Sequence, residues 1–287
     1  MTHARTARTW FITGAGRGLG RAFALAALDA EDQVVATARK PDALGDLAAA
    51  HPDRVRVLDL DVTQRDLVFT RVEQAIACFG KLDVVVNNAG HGLVAAVEEA
   101  GEAEVRAQME TNFFGALWVT QAVLPHLRAR RSGHIVQISS VGGVGTMPTM
   151  GLYNASKWAL EGFSEALAAE VAPFGIRVTL AELGGFATDW AWGSMHFASP
   201  LPAYDGLRES VFGSAKVPWD MAAQGSDTSA DPAVAARALL AHLDREDGHE
   251  DKPLRLLIGD DAPEHMRIIF ERRRDDYRKD PRFQWPT

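Results

Sequence analysis

Cysteine is nearly absent: Cys78 is the only one in 287 residues. No intramolecular disulfide can form, and a thiolate metal site is not expected. The nine histidines are scattered without ligand spacing, so a metal hydrolase is not expected either. No apolar run is long enough to span a membrane. Met1 to Arg8 is short and basic, and the apolar stretch after it is broken at once by glycines and Arg17, which is not the pattern of a signal peptide. The expectation is a cytoplasmic protein. Positive charge is not in excess: the net charge is −8, so the chain lacks the field that draws nucleic-acid phosphates. Two basic clusters, Arg128/Arg130/Arg131 and Arg272/Arg273/Arg274, read as solvated helix ends. There is no G-x-S-x-G elbow of a serine hydrolase and no Gly-Lys-Ser/Thr loop of a nucleotide kinase. Asn154-Ala155-Ser156 fits a glycosylation acceptor but carries no weight in such a chain.

What remains is an ordinary globular composition, 47% hydrophobic and 24% charged. Short apolar runs alternate with longer helical stretches. Thr9–Thr13, Gln33–Thr37, Val55–Leu58, Leu82–Val86, Gly133–Ile138, Ile176–Leu180 and Leu254–Ile258 read as strands. Helices are expected at Leu19–Ala30, Pro41–Ala50, Gln64–Phe79, Glu102–Glu110, Phe113–Arg130, Leu152–Val171, Pro232–Leu243 and Glu264–Arg278. Asp231 is a good N-cap for the helix at Pro232. Strands alternating with helices predict an α/β fold: a doubly wound, Rossmann-type parallel sheet of about seven strands with helices on both faces. No linker or repeat divides the chain, so 1–287 is expected to be one domain, with a substrate lid over 185–230 and a helical extension over 261–287.

Thr13-Gly14-Ala15-Gly16-Arg17-Gly18-Leu19-Gly20 follows the first strand and opens the first helix. In that setting glycines let backbone approach a pyrophosphate, and the helix N-terminus offers N–H donors and the positive end of its dipole. The alternative is an ordinary tight turn. An NAD site places a carboxylate roughly twenty residues further on, for the ribose hydroxyls. Here the second strand ends in Thr37-Ala38-Arg39-Lys40, without an acid. Arg39, helped by Arg17, suits a 2′-phosphate, so NADP(H) is preferred over NAD(H). The competing reading leaves Arg39 and Lys40 on the surface. Asp61 either bonds the adenine amino group or caps the turn after the third strand.

Tyr153 and Lys157 stand four residues apart and share a helix face. A free phenol, with a pKa of about 10, is a poor base at neutral pH. A nearby ammonium favours the phenolate and should lower that value. A lone Tyr-x-x-x-Lys is more often a surface pair. Here Ser139-Ser140 ends the fifth strand and Asn87-Asn88-Ala89-Gly90 ends the fourth, on the rim where such sheets place ligands. With Thr13 to Gly20, Asp61-Val62, Asn112 and Tyr153 to Lys157, they resemble the short-chain dehydrogenase/reductase family, in order and spacing, over about the first two thirds of the chain. The resemblance implies that Ser140 polarises a carbonyl and that Tyr153 is the acid/base. It implies that Lys157 holds the nicotinamide ribose and depresses the tyrosine pKa, and that Asn112 positions a relay water. It further implies a cofactor-supporting loop at Asn87 to Gly90, with Asn88 and Ala89, and contacts from Val62 and Gly184. The family usually has Pro-Gly after the sixth strand; this chain has Leu183-Gly184, which removes a fixed φ and is expected to loosen that loop. Thr188 matches the residue that bonds the carboxamide.

The segment after Thr188 carries Trp190, Trp192, Met195, Phe197, Trp219 and Met221 where the family has its lid. These side chains either line a site for a bulky, largely apolar ketone or alcohol, or pack beneath the lid or at a subunit contact. His91, Val94, Val141, Gly142, Met147 and Trp192 are the expected pocket lining, His91 as a loop residue rather than a proton carrier. Three functions follow: an NADPH-dependent carbonyl reductase run reversibly as a secondary-alcohol dehydrogenase, a lyase or epimerase on the same scaffold, or a non-catalytic NADP-sensing protein. Family members commonly associate through the helices bearing Asn112 and Tyr153, so a homodimer or homotetramer is expected.

Overall fold

Runs of valine and isoleucine need cover on both faces, and the chain supplies it by placing a helix after nearly every strand. The structure, a computed structural model, describes residues 6–186, 195–218, 230–245 and 253–284. The strands are β1 (Thr9–Ile12), β2 (Gln33–Ala38), β3 (Val55–Asp59), β4 (Val84–Asn87), β5 (Gly92–Val94), β6 (Gly133–Ile138), β7 (Ile176–Leu183), β8 (Met195–Phe197) and β9 (Arg255–Ile258). The helices are α1 (Gly18–Asp29), α2 (Gly45–Ala50), α3 (Arg65–Phe79), α4 (Glu102–Met109), α5 (Gly115–Arg130), α6 (Gly151–Val171), α7 (Asp205–Phe212), α8 (Pro232–Asp244) and α9 (Ala262–Tyr277).

Seven strands form one parallel sheet in the order β3-β2-β1-β4-β6-β7-β9. This is the expected doubly wound sheet. The order reverses beside β1, which lies between β2 and β4, and a crevice opens there at the carboxyl ends of the strands. Alternate residues feed two apolar layers. Trp10, Ile12, Val34, Val84 and Val86 pack with Phe23, Leu28, Leu239 and Leu243 of α1 and α8. Phe11, Val35, Val85, Ile135 and Val178 pack with Val68, Val72, Val119, Val123 and Leu167 of α3, α5 and α6. Each fully buried valine, leucine or phenylalanine contributes about 1.5–3 kcal/mol. Asp231 caps α8 as expected, accepting from Ala233 N–H at 2.8 Å.

Several expectations need correction. The helices on either side of Asn112 are one rod: a π-helical turn, Glu110–Phe114, joins α4 to α5, and Gly115 N–H reaches back five residues to Glu110 O. The helix expected over Pro41–Ala50 opens as a 3-10 turn, Pro41–Leu44. The irregular stretch contains α7 and β8, and β8 pairs with β5 in a separate two-stranded parallel sheet. β7 continues through Leu183, which is paired with Ile258 and buried; most of the loop expected to loosen, from residue 187, lies outside the described residues. Gly184 N–H then donates to Ile258 O at 2.9 Å. Arg273 is not a solvated helix end. It donates to Val144 O at 2.5 Å and lies 4.9 Å over the Trp158 ring.

Candidate active site

Tyr153 and Lys157 occupy the opening turns of α6, and Ser140 caps the 3-10 turn Val141–Gly143 just beyond β6. Ser140 Oγ accepts the Gly142 N–H at 3.1 Å and is hydrogen-bonded to the Tyr153 hydroxyl. The inward face of α6 carries the lysine: it is 7% exposed, and Nζ donates to Ile138 O at 2.7 Å. Nζ stands 6.0 Å from the centre of the Tyr153 ring. Burial lowers the lysine to a pKa of about 8, against an opposing pull from Glu161.

The expected depression of the phenol is absent. Burial raises the Tyr153 pKa, and the Ser140 hydrogen bond only partly offsets it. The ammonium's hydrogen bond goes to a main-chain carbonyl, so the phenol gains no direct partner from it.

Asn112 lies in the π-turn. Its Nδ2 donates to His91 O at 2.9 Å and to Ser156 Oγ at 3.0 Å, while Oδ1 accepts His91 N–H at 3.0 Å. Both amide hydrogens are spent on protein, so the side chain braces the site through them. Asn87 is braced similarly, by Ala116 O and Thr120 Oγ1.

At the other end of the crevice the glycine turn is held from behind. Asn88 Nδ2 donates to Thr13 O at 2.9 Å and to Gly14 O at 3.2 Å. Thr13 Oγ1 accepts the N–H groups of Asn88 and Ala89. Gly14 has φ +65°, and a Cβ on Gly20 would fall 2.4 Å from Gly14 O, so both positions demand glycine. Gly16, Gly18 and Leu19 complete the turn into α1. Its N-terminus, at Arg17, has no side-chain cap and no acid in its first turn. That leaves N–H donors and a positive dipole end facing the crevice, as an anionic ligand requires. Arg39 is exposed at the end of β2, close enough for its charge to act on His91. Asp61 caps the turn after β3: Oδ1 accepts Thr63 N–H at 3.0 Å and the Thr63 hydroxyl at 2.8 Å. Val62 is buried under the π-turn against Gly115. Gly90 packs beside Asn112.

His91 is held neutral, with a pKa of about 4, first by burial and then by the facing His196. The two rings are 4.8 Å apart. An apolar cluster of Val94, Met150, Met195, Phe197 and Phe212 packs around Tyr153. Val141 and Gly142 lie next to Ser140, whereas Met147 is largely exposed. Asn154, of the glycosylation-like triplet, is buried and bonded to Gly142 O and Met147 N–H. Thr188 and Trp192 lie outside the described residues, as do Trp190, Trp219 and Met221.

Sequence reasoning missed four side chains here. Glu161 repeats the four-residue spacing of Tyr153 and Lys157, and that spacing was the available signal. Glu182, Arg255 and Arg273 had no local signal. Among the described residues no group of three acids, histidines or cysteines is placed to hold a metal.

A family model described as short chain dehydrogenase matches residues 8–196. Oxidoreductase BOA17 of Botryotinia fuckeliana is 43% identical over 259 residues, 90% of this chain and 91% of that protein. A 3-ketodihydrosphingosine reductase of Bacteroides thetaiotaomicron is 46% identical over 177 residues, 62% of this chain and 63% of that protein. A solved short-chain dehydrogenase from Streptomyces avermitilis superposes with a TM-score of 0.85 at 40% identity, covering 96% of each chain.

Proposed function

Since the chain belongs to the short-chain dehydrogenase/reductase family, whose members are NAD(P)-dependent oxidoreductases, we propose that it is an NADPH-dependent carbonyl reductase. Its substrate is a largely apolar ketone, or the corresponding secondary alcohol in reverse. The observation that carries this reading is the Ser140–Tyr153 hydrogen bond above a buried Lys157, at the carboxyl end of β6.

The glycine turn and the uncapped start of α1 fit a dinucleotide pyrophosphate, and Arg17 and Arg39 fit a 2′-phosphate. Lys157 would hold the nicotinamide ribose, with Thr188 near the carboxamide. When bound, the cofactor supplies the hydride. The chain's own residues do the rest. Ser140 Oγ donates to the carbonyl oxygen and fixes its direction. Tyr153 Oη gives that oxygen a proton as it becomes an alkoxide. Burial makes the Tyr153 phenol a weaker acid than a free tyrosine, but the alkoxide it protonates is far more basic still, so proton transfer to it remains downhill. Lys157 stabilises the phenolate left behind. Asn112 would position a relay water through an oxygen, since His91 O and Ser156 Oγ take both of its amide hydrogens. The apolar cluster beside Tyr153 favours an apolar substrate, and the keto group is carried over from the relative named a 3-ketodihydrosphingosine reductase. Association through α4, α5 and α6 as a dimer or tetramer belongs to the same proposal.

Tyr153→Phe tests the reading. With a panel of ketones, turnover should fall by at least about 10²-fold, while NADPH binding stays near wild type. Wild-type-like turnover in this variant would remove the tyrosine from the mechanism.

A further inference from the structure

Below the catalytic loop lies a charged cluster that the reaction just described does not use. Glu161 follows Lys157 by one turn on the inward face of α6, Glu182 comes from β7 and Arg255 from β9. Glu161 is 5% exposed and Glu182 1%. Arg255 Nε lies 3.4 Å from Glu161 Oε2 and 3.1 Å from Glu182 Oε1, and its Nη2 donates to Glu165 Oε2 at 2.7 Å. The cluster reaches the loop itself. A Cβ on Gly143 would fall 2.6 Å from Ser139 Oγ and 3.1 Å from Glu161 Cγ, so the glutamate stem, Ser139 and the loop are in direct packing contact.

Anchoring β9 at the sheet edge needs only Arg255 and the exposed Glu165. It does not need two acids inside the protein, where burying charge is costly. Of the two, Glu161 stands one helical turn from Lys157, a buried ammonium on which its charge acts and whose one hydrogen bond goes to the Ile138 carbonyl. Resting on the reductase reading above, we propose that Glu161 is a positioning residue for the reaction: its carboxylate, held by Arg255 beside Glu182, is the counter-charge that keeps Lys157 an ammonium next to the phenol.

The charged and titratable groups facing this pair are Tyr153 and Glu165 from α6, Ser139 at the end of β6, Glu182 from β7, Arg255 from β9 and His91 from the loop after β4. His91 is neutral and adds no competing charge. Burial lowers Lys157 and Glu161 opposes it, leaving the lysine at about 8, one step from discharge at working pH. Burial raises both acids, Glu182 to about 7, and Arg255 opposes the rise in each, with Ser139 and Lys157 also holding Glu161 down, so the two acids around one arginine titrate as a pair.

The test is an NMR titration of the full chain without cofactor, using 13Cε-lysine labelling with Lys157 assigned by Lys157→Met, beside the pH profile of ketone reduction. Glu161→Gln should lower the Lys157 midpoint by about one pH unit and draw the alkaline limb of kcat/KM down with it. Glu161→Asp, which keeps the charge, should restore most of both. Glu182→Gln should leave the lysine midpoint near wild type. In the wild-type chain the Glu161 carboxyl carbon should show a step at the Lys157 midpoint that Lys157→Met abolishes, a reading that needs no glutamate variant to fold. An unmoved midpoint in Glu161→Gln, equal losses in the aspartate and glutamine variants, or no step at Glu161 would overturn the proposal. If these shifts appear and no ketone is turned over, the counter-charge stands and the reductase reading falls.

Discussion

At the end of β2 one exposed side chain, Arg39, stands where an NAD site would present a carboxylate, so cofactor choice should turn on it. Arg39→Asp is expected to move the ratio of specificity constants from NADPH toward NADH by at least about tenfold, the effect of losing one charge-assisted phosphate pair. An unchanged ratio would remove Arg39 from the 2′-phosphate. Residues of this kind were legible because each lies within a few positions of a turn or strand end that also signals itself. Ser140, Tyr153 and Lys157 belong to that group, brought together by the end of β6 and the start of α6. Glu161, Glu182 and Arg255 do not. They meet only through the β7–β9 register and the docking of α6, and no local pattern announces long-range pairing. The tyrosine pKa was misread for a related reason: the four-residue spacing places Lys157 near the phenol, but the sequence does not say that Ile138 O takes its hydrogen bond.

The segment that follows β8 is tied to the body by one buried arginine. Arg208 of α7 pairs with Glu99 and Asp205 and donates to Leu201 O and Ala215 O. Glu99 also accepts from the N–H groups of Ala96 and Leu201. Cutting this tie leaves Glu99 buried without its cation, so Arg208→Met should loosen residues 198–215 and free the wall packed on Tyr153. The expected signs are faster proteolytic cleavage within that stretch and an apparent KM for ketone that rises more than kcat falls. Unchanged cleavage would assign the segment's order to its apolar packing and to the bonds from Ala198, Leu201 and Tyr204 to Val94, Glu99 and Glu98. The stretch looked patternless because β8 has three residues, too few for a period, and becomes a strand only by pairing with β5. By contrast β4, with three consecutive buried valines, declared itself, since a strand covered on both faces has no polar alternation to obscure it.

For the molecule as a whole, two buried groups set opposing pH slopes. Glu182 has its pKa raised from 4.5 to about 7, so the fold holds that proton more tightly than the unfolded chain does. Its contribution to stability is full below the unfolded value and is lost as pH rises through 7. His91 is lowered from 6.5 to about 4, so its contribution is full above 6.5 and is lost as pH falls toward 4. Between pH 4.5 and 6.5 the two slopes oppose each other. Glu182→Gln should therefore make Tm climb with pH more steeply across that window than in wild type, and parallel profiles would sink this assignment. The seven-stranded sheet was foreseeable from the alternation of elements, but its order rests on which strands pair at a distance. That order also sets a timetable for synthesis. A chain growing from its N-terminus completes β1, the glycine turn and α1 well before Asn88 leaves the ribosome. Until that amide arrives, the carbonyls of Thr13 and Gly14 lack the donor that shapes the turn. A nascent fragment ending before residue 84 would thus contain the entire glycine motif and yet have no affinity for a dinucleotide.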